Sequence, residues 1–219
     1  MLSLPDGPSP AAIKVVIYDC DGVLIDSRGS NAAFYNHILE KFGLPHLTPQ
    51  QLDFVHYSTA QAAVDLLFQD SPRRAEAQKY QRSIDNRPFL ALLRLEPHVR
   101  EVLAALRPAY RTAVATNRGK SLPLVLEKLG LARLFDLTIS SYDVTQHKPH
   151  PECLLKVLEH FGAAPAEAMY IGDAAVDREA ARRAGVTFTA YKNPDLDASY
   201  HLQDHLDLLQ ILAPVTGVD

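Results

Sequence analysis

Asp19 and Asp21 stand two residues apart in Asp19-Cys20-Asp21-Gly22-Val23-Leu24. In an extended segment, that spacing puts both side chains on one side. Two carboxylates so close repel, and a divalent cation relieves the repulsion; a donor set made only of oxygen favours magnesium over zinc. Asp173, in Gly172-Asp173, offers a further carboxylate, and Lys148 a compact positive charge. Thr116 and Asn117 add a hydroxyl and an amide. The set suits phosphoryl transfer, which needs a positioned nucleophile, a metal and donors aimed at the phosphoryl oxygens.

Each piece alone has an ordinary explanation. Asp-x-Asp is more often a loop or a cap than a catalytic pair, Thr-Asn after a strand is usually turn chemistry, and Gly-Asp at a strand end commonly opens a helix. Joined on one fold, the pieces carry more weight, and the elements that hold them decide this. Ile13 to Tyr18 is apolar on both faces and reads as a buried strand. Phe34, Tyr35, Ile38, Leu39 and Phe42 recur at helix spacing and Gly43 closes that helix; Ala60 to Phe68 reads as a second, and Pro72 opens a third toward Ile84. Nothing between Arg28 and Arg94 reads as a strand.

After Pro97 the pattern alternates: helix Val99–Leu106, strand Arg111–Thr116, helix Ser121–Leu129, strand Leu137–Ser140, helix Pro151–Phe161, strand Ala168–Ile171, helix Ala174–Ala184, strand Val186–Ala190 and a final helix Tyr200–Leu212. Such alternation predicts an α/β fold, a Rossmann-like parallel sheet with helices on both faces, interrupted after its first strand by an all-helical insert. Ligands of open parallel sheets bind beyond the carboxyl ends of the strands. Asp19 and Asp21, Thr116 and Asn117, and Asp173 all fall at such ends.

The chain has 219 residues, 47% of them hydrophobic, enough for one domain or a core with an insertion. A net charge of -4 and a pI of about 6.1 give no general attraction to nucleic acid or anionic membranes. No apolar run approaches the ~20 residues that span a bilayer. Pro5, Pro8 and Pro10 mark a loose leader rather than a secretory signal. The two cysteines, Cys20 and Cys153, form no disulfide framework, and a reducing cytoplasm is expected.

In this light the sequence resembles the haloacid dehalogenase-like hydrolases over nearly its whole length after the leader, and the phosphoglycolate phosphatase-like branch in particular. Asp19 to Leu24 is similar to the family's first motif, Val114-Ala115-Thr116-Asn117 to the second, Lys148-Pro149-His150-Pro151-Glu152 to the third, and Gly172-Asp173-Ala174-Ala175-Val176-Asp177 to the fourth. The resemblance implies that Asp19 attacks phosphorus to form an aspartyl-phosphate. Asp21 then serves as acid and base, and Thr116 and Lys148 bind phosphoryl oxygens. It implies Mg2+ held by Asp19, Asp173 and the backbone carbonyl of Asp21, with Asp177 supporting the site. It also implies a catalytic core at 1–25 and 95–219, and a mobile helical cap at 26–94 that selects a small phosphorylated metabolite.

Asp21 argues for a phosphatase or phosphomutase, because the family's dehalogenases generally lack an acid there. Asn31, where its hexose phosphomutases carry His, speaks against the mutase. Lys41 and Lys79 match no phosphonate-cleaving context. Ala174 departs from the family's usual Ser without removing a metal ligand. Asn117, Arg28 and Arg118 are candidate substrate contacts, the arginines for an anionic part of the substrate. Two further readings are a non-catalytic phospho-ligand-binding relative, and a zinc site at His201 and His205, one turn apart if helical. The oligomeric state is not legible.

Overall fold

The computed structural model describes residues 12–212; the proline-bearing leader lies outside them. Six strands form one parallel sheet: β1 (Val15–Tyr18), β4 (Arg111–Ala115), β5 (Leu137–Ile139), β6 (Ala168–Gly172), β7 (Thr187–Tyr191) and β8 (Tyr200–Leu202). Their order is β5-β4-β1-β6-β7-β8, so the chain winds outward from β1 in one direction and then in the other. That reversal opens a crevice at the carboxyl edge beside β1. The fold class is the α/β, Rossmann-like sheet the sequence predicts.

β1 is apolar throughout because both its faces are covered. Val16 and Tyr18 pack against α6 (Val99–Leu106), α7 (Leu122–Lys128) and α10 (Leu206–Leu212). Val15 and Ile17 pack against α8 (Glu152–Phe161) and α9 (Ala175–Ala184). Burying one such aliphatic side chain stabilises by roughly 1.5–3 kcal/mol, which anchors the strand that presents Asp19.

Between β1 and α6 come five helices: α1 (Arg28–Lys41), α2 (Pro49–Tyr57), α3 (Ala60–Leu67), α4 (Arg74–Ser83) and α5 (Arg87–Leu90). They bury an apolar cluster of their own, built on Tyr35, Ile38, Leu39, Val55, Val64 and Phe68. α2 starts at a capping box: Thr48 accepts from the Gln51 N–H while the Gln51 side chain accepts from the Thr48 N–H. The two crossings between this block and the sheet pair with each other. β2 (Ile25–Asp26) and β3 (Arg94–Leu95) form an antiparallel ribbon, Ile25 facing Leu95 and Asp26 facing Arg94.

The expected final helix is corrected. Its first residues are β8, the edge strand paired with β7 through Thr189 and Tyr200, and only Leu206–Leu212 is helical. Leu202, Leu206 and Leu209 mimic helical spacing, but sheet pairing takes Tyr200 to Leu202. His201 and His205 therefore do not face a common ligand along one helix. His201 Nε2 meets the carbonyl of Leu196, and buried His205 donates from Nε2 to the carbonyl of Val23 at 2.9 Å. The zinc reading falls with the helix.

Candidate active site

Asp19 follows β1 directly, and its N–H donates to the carbonyl of Ile171 in β6 at 2.9 Å, which fixes the backbone of the first catalytic candidate. The chain then turns tightly: the Leu24 N–H donates to the Cys20 carbonyl and the Gly22 N–H to the Ile25 carbonyl. Gly22 has φ +76, and a Cβ there would stand 2.0 Å from Asp173 Oδ2. Only glycine lets the turn and the β6 edge approach so closely.

Three carboxylates converge. Asp19, Asp173 and Asp177 each place an oxygen within 4.8 Å of the others. Lys148 reaches in from the loop before α8, its ammonium 2.8 Å from Asp19 Oδ1 and 2.6 Å from Asp177 Oδ1. Asp177 is fully engaged. Its Oδ1 also accepts from Tyr170 Oη, and its Oδ2 accepts from the N–H groups of Asp173 and Ala174. Gly172 makes room for it, since a Cβ there would lie 2.4 Å from the Asp177 Cβ. Asp173 Oδ1 is buried and accepts no hydrogen bond, and Asp19 Oδ1 has only the Lys148 ammonium beside it.

The electrostatics follow. Burial pushes the Asp19 carboxyl up, Lys148 pulls it down, and Asp177 and Asp21 push it up again, leaving it at about 6. Burial, then Asp177 and Asp19, raise Asp173 well above the usual carboxylate range. Burial alone would lower the Lys148 ammonium, but Asp177 and Asp19 hold it well above its ordinary value. Three carboxylates against one lysine, with a buried oxygen of Asp173 left unpartnered and no sulfur or imidazole donor among them, fit a hard divalent cation such as Mg2+.

The Asp21 side chain is not part of that cluster. It turns to Arg118, whose Nε donates to Oδ2 at 2.9 Å and whose Nη2 donates to Oδ1; the Ser27 hydroxyl also donates to Oδ1. Burial would raise Asp21, but the Arg118 guanidinium wins and holds it below its ordinary value. Thr116, buried just past β4, accepts the Arg118 N–H on its hydroxyl. Asn117 is spent on the scaffold: its amide donates to the carbonyls of Lys148 and Tyr57, and its oxygen accepts the Lys148 N–H.

A cavity of about 370 Å3 opens between this edge and the helical block. Its wall includes Asp21, Arg118 and Lys120 from the sheet side, and Asn31, His56 and Arg82 from the helices. Arg28 is not brought to it; its guanidinium pairs with Asp53 at 2.6 Å on the exposed start of α1. Sequence reasoning missed His56, buried against Asn31 with its ring Nδ1 3.2 Å from the Asn31 amide nitrogen. It also missed Tyr170, which accepts from Lys148 and contacts the Ala115 carbonyl. A buried tyrosine hydroxyl usually finds a partner; that of Tyr170 does, whereas that of Tyr18 in β1 does not, so residue type and burial alone did not single Tyr170 out.

The family model described as haloacid dehalogenase-like hydrolase matches residues 16–191. The chain is 32% identical over 183 residues to the phosphoglycolate phosphatase of Nitrosococcus oceani, covering 78% of this chain and 80% of that protein. It is 28% identical over 175 residues to the phosphoglycolate phosphatase of Aquifex aeolicus, covering 79% and 82%. Among solved structures, a HAD-superfamily hydrolase of subfamily IA from Geobacter sulfurreducens superposes with a TM-score of 0.76 at 40% identity, over 94% of this chain and 99% of that one. A putative phosphoglycolate phosphatase from Lactobacillus plantarum shares the fold, with a TM-score of 0.80 at 22% identity over 91% and 99%. With its four motifs gathered at one sheet edge, the chain belongs to the haloacid dehalogenase-like hydrolases.

Proposed function

We propose that this protein is a phosphoric monoester hydrolase that acts on a small phosphorylated metabolite, through Asp19 as nucleophile and with Mg2+ as its cofactor. The observation that carries this reading is the convergence of Asp19, Asp173 and Asp177 around the single buried Lys148. The relatives named phosphoglycolate phosphatase support the same reaction class. The net charge of -4 favours a small ligand over nucleic acid. Among the described residues no helix is long and apolar enough to cross a membrane, and two free buried cysteines suit a reducing cytoplasm.

A carboxylate oxygen of Asp19 attacks phosphorus, and the bond to the leaving oxygen breaks with its electron pair on that oxygen. Asp21, an ionised carboxylate while paired with Arg118, first takes up a proton from solvent as the pair opens and then gives it to the leaving oxygen. Asp21 then takes a proton from water as the water oxygen attacks the aspartyl-phosphate, and Asp19 leaves as a carboxylate with inorganic phosphate released. Lys148 and the Thr116 hydroxyl bind phosphoryl oxygens as their charge grows. Asp19, Asp173 and the backbone carbonyl of Asp21 would hold the cation, and Asp177 keeps Lys148 and the start of α9 in place. Once bound, the cation offsets the charge of the carboxylates and of the phosphoryl group. Residues 26–94 act as the cap over the cavity, and Arg118 meets an anionic part of the substrate.

The test is a screen of phosphorylated metabolites with Mg2+, reporting kcat/KM, beside the Asp19→Asn variant. Turnover of at least one small ester, abolished in Asp19→Asn, is expected. Full activity in the variant would sink the assignment.

A further inference from the structure

Arg118 is committed twice over. Its Nε and Nη2 grip both oxygens of Asp21, and its Nη1 donates to the Ser121 hydroxyl at 3.0 Å. Only 9% of its side chain is exposed, and 12% of that of Asp21. Ser27 takes a further direction on Asp21 Oδ1. In this arrangement three of the four in-plane directions of Asp21 point at the arginine and the serine, and both of its oxygens are tied to the guanidinium. Yet the pair stands in the cavity wall, with Lys120 and Arg82 also on that wall. A two-armed charged contact this dry is not displaced by a neutral group; a competing anion that offers the guanidinium an equal partner can displace it.

We propose that Arg118 is the residue that selects the ester. It holds Asp21 away from the leaving oxygen until an anionic group on the leaving-group side of the substrate draws the guanidinium onto itself. The inference rests on the phosphatase reading above and deepens it. It adds that discrimination against neutral esters is set in kcat, since a neutral alkyl phosphate still seats its phosphoryl group but leaves Asp21 clamped.

The experiment compares butyl phosphate, carboxypropyl phosphate and p-nitrophenyl phosphate on wild type, Arg118→Ala and Arg118→Lys. The two alkyl esters leave as alcohols of similar basicity, and the aryl ester needs little acid help. In wild type, kcat for the carboxylated ester should exceed that for butyl phosphate by roughly tenfold or more. Arg118→Ala should raise kcat for butyl phosphate several-fold, lower kcat/KM for the carboxylated ester, and so collapse the ratio. Arg118→Lys keeps the charge without the two-armed grip and should fall between; it carries the test if the alanine variant does not fold. A wild-type ratio near one, or an equal loss on both alkyl esters in the variants, overturns the proposal. Turnover of p-nitrophenyl phosphate that is lost in Asp19→Asn upholds the phosphatase reading independently of that ratio. If wild type hydrolyses none of the three esters, that reading falls and the proposal with it.

Discussion

Asp19 and Asp21 differ by one intervening residue and in little else, yet their surroundings drive them apart. Burial, with carboxylate neighbours, pushes Asp19 up to about 6, while Asp21, though also buried, sits under a guanidinium and is held low. This separation has a thermodynamic signature in protein treated with a chelator. Folded Asp19 keeps its proton between the ordinary carboxyl value of 3.8 and about 6, where the unfolded chain has lost it. Its contribution to stability is therefore complete below that window and is lost as the pH rises through it. Asp21 has the opposite sign and acts below its ordinary value, outside the window. Thermal melts in EDTA should show the melting temperature falling across this range, and falling less in Asp19→Asn. An identical slope in the variant would contradict the assignment of the raised group to Asp19.

At the level of elements, the loop that follows β1 depends on one residue without a side chain. In Gly22→Ala the new Cβ meets Asp173 Oδ2, and the backbone must hold φ +76 with a side chain. A loss on the order of 1–3 kcal/mol is expected, with Mg2+ affinity falling further than stability because Asp173 is the group displaced. Calorimetric titration of Mg2+ alongside a melt separates the two effects. Most elements were legible in the sequence because both-face burial and 3.6-residue spacing leave strong patterns, as in β1 and α6. Others were not. β2 and β3 have two residues each, too few for any period, and β8 was hidden by leucines at helical spacing. α2 carries a capping signature in Thr48-Pro49-Gln50-Gln51. The same division holds for the site. Asp19 and Asp173 were readable as residue types at strand ends, and Lys148 as a lone compact charge in the segment before a helix. The grip of Arg118 on Asp21 joins positions 97 apart and exists only once β1 and β4 are paired.

For the whole molecule, the question is how the helical block sits on the sheet. Two polar contacts cross the gap beside the cavity. Lys120 Nζ donates to the main-chain carbonyl of Arg82 at 2.5 Å, and Asn117 Nδ2 to that of Tyr57 at 3.1 Å. Both acceptors are backbone, so the contact reports the position of a helix end and not the identity of a side chain. Lys120→Ala removes one of the two. Exposed contacts of this kind contribute roughly 1 kcal/mol or less, so the melting temperature should barely move. KM for the best substrate should rise a few-fold if the helical block closes over bound substrate as the proposed cap does. Steady-state kinetics beside a melt checks both halves of that expectation.

The ribbon of β2 and β3 has a consequence for inheritance. Because Ile25 faces Leu95 and Asp26 faces Arg94, the chain leaves the sheet and returns to it at nearly one point. The distance the inserted segment must bridge is therefore short whatever its length, and the entropy of closing a longer excursion grows only slowly. Everything between Asp26 and Arg94 is in this sense a cassette on a fixed clip. Helices can be lengthened, lost or exchanged there without moving Asp19, Lys148 or Asp173, so the cavity wall they form can change while the carboxylate cluster stays fixed.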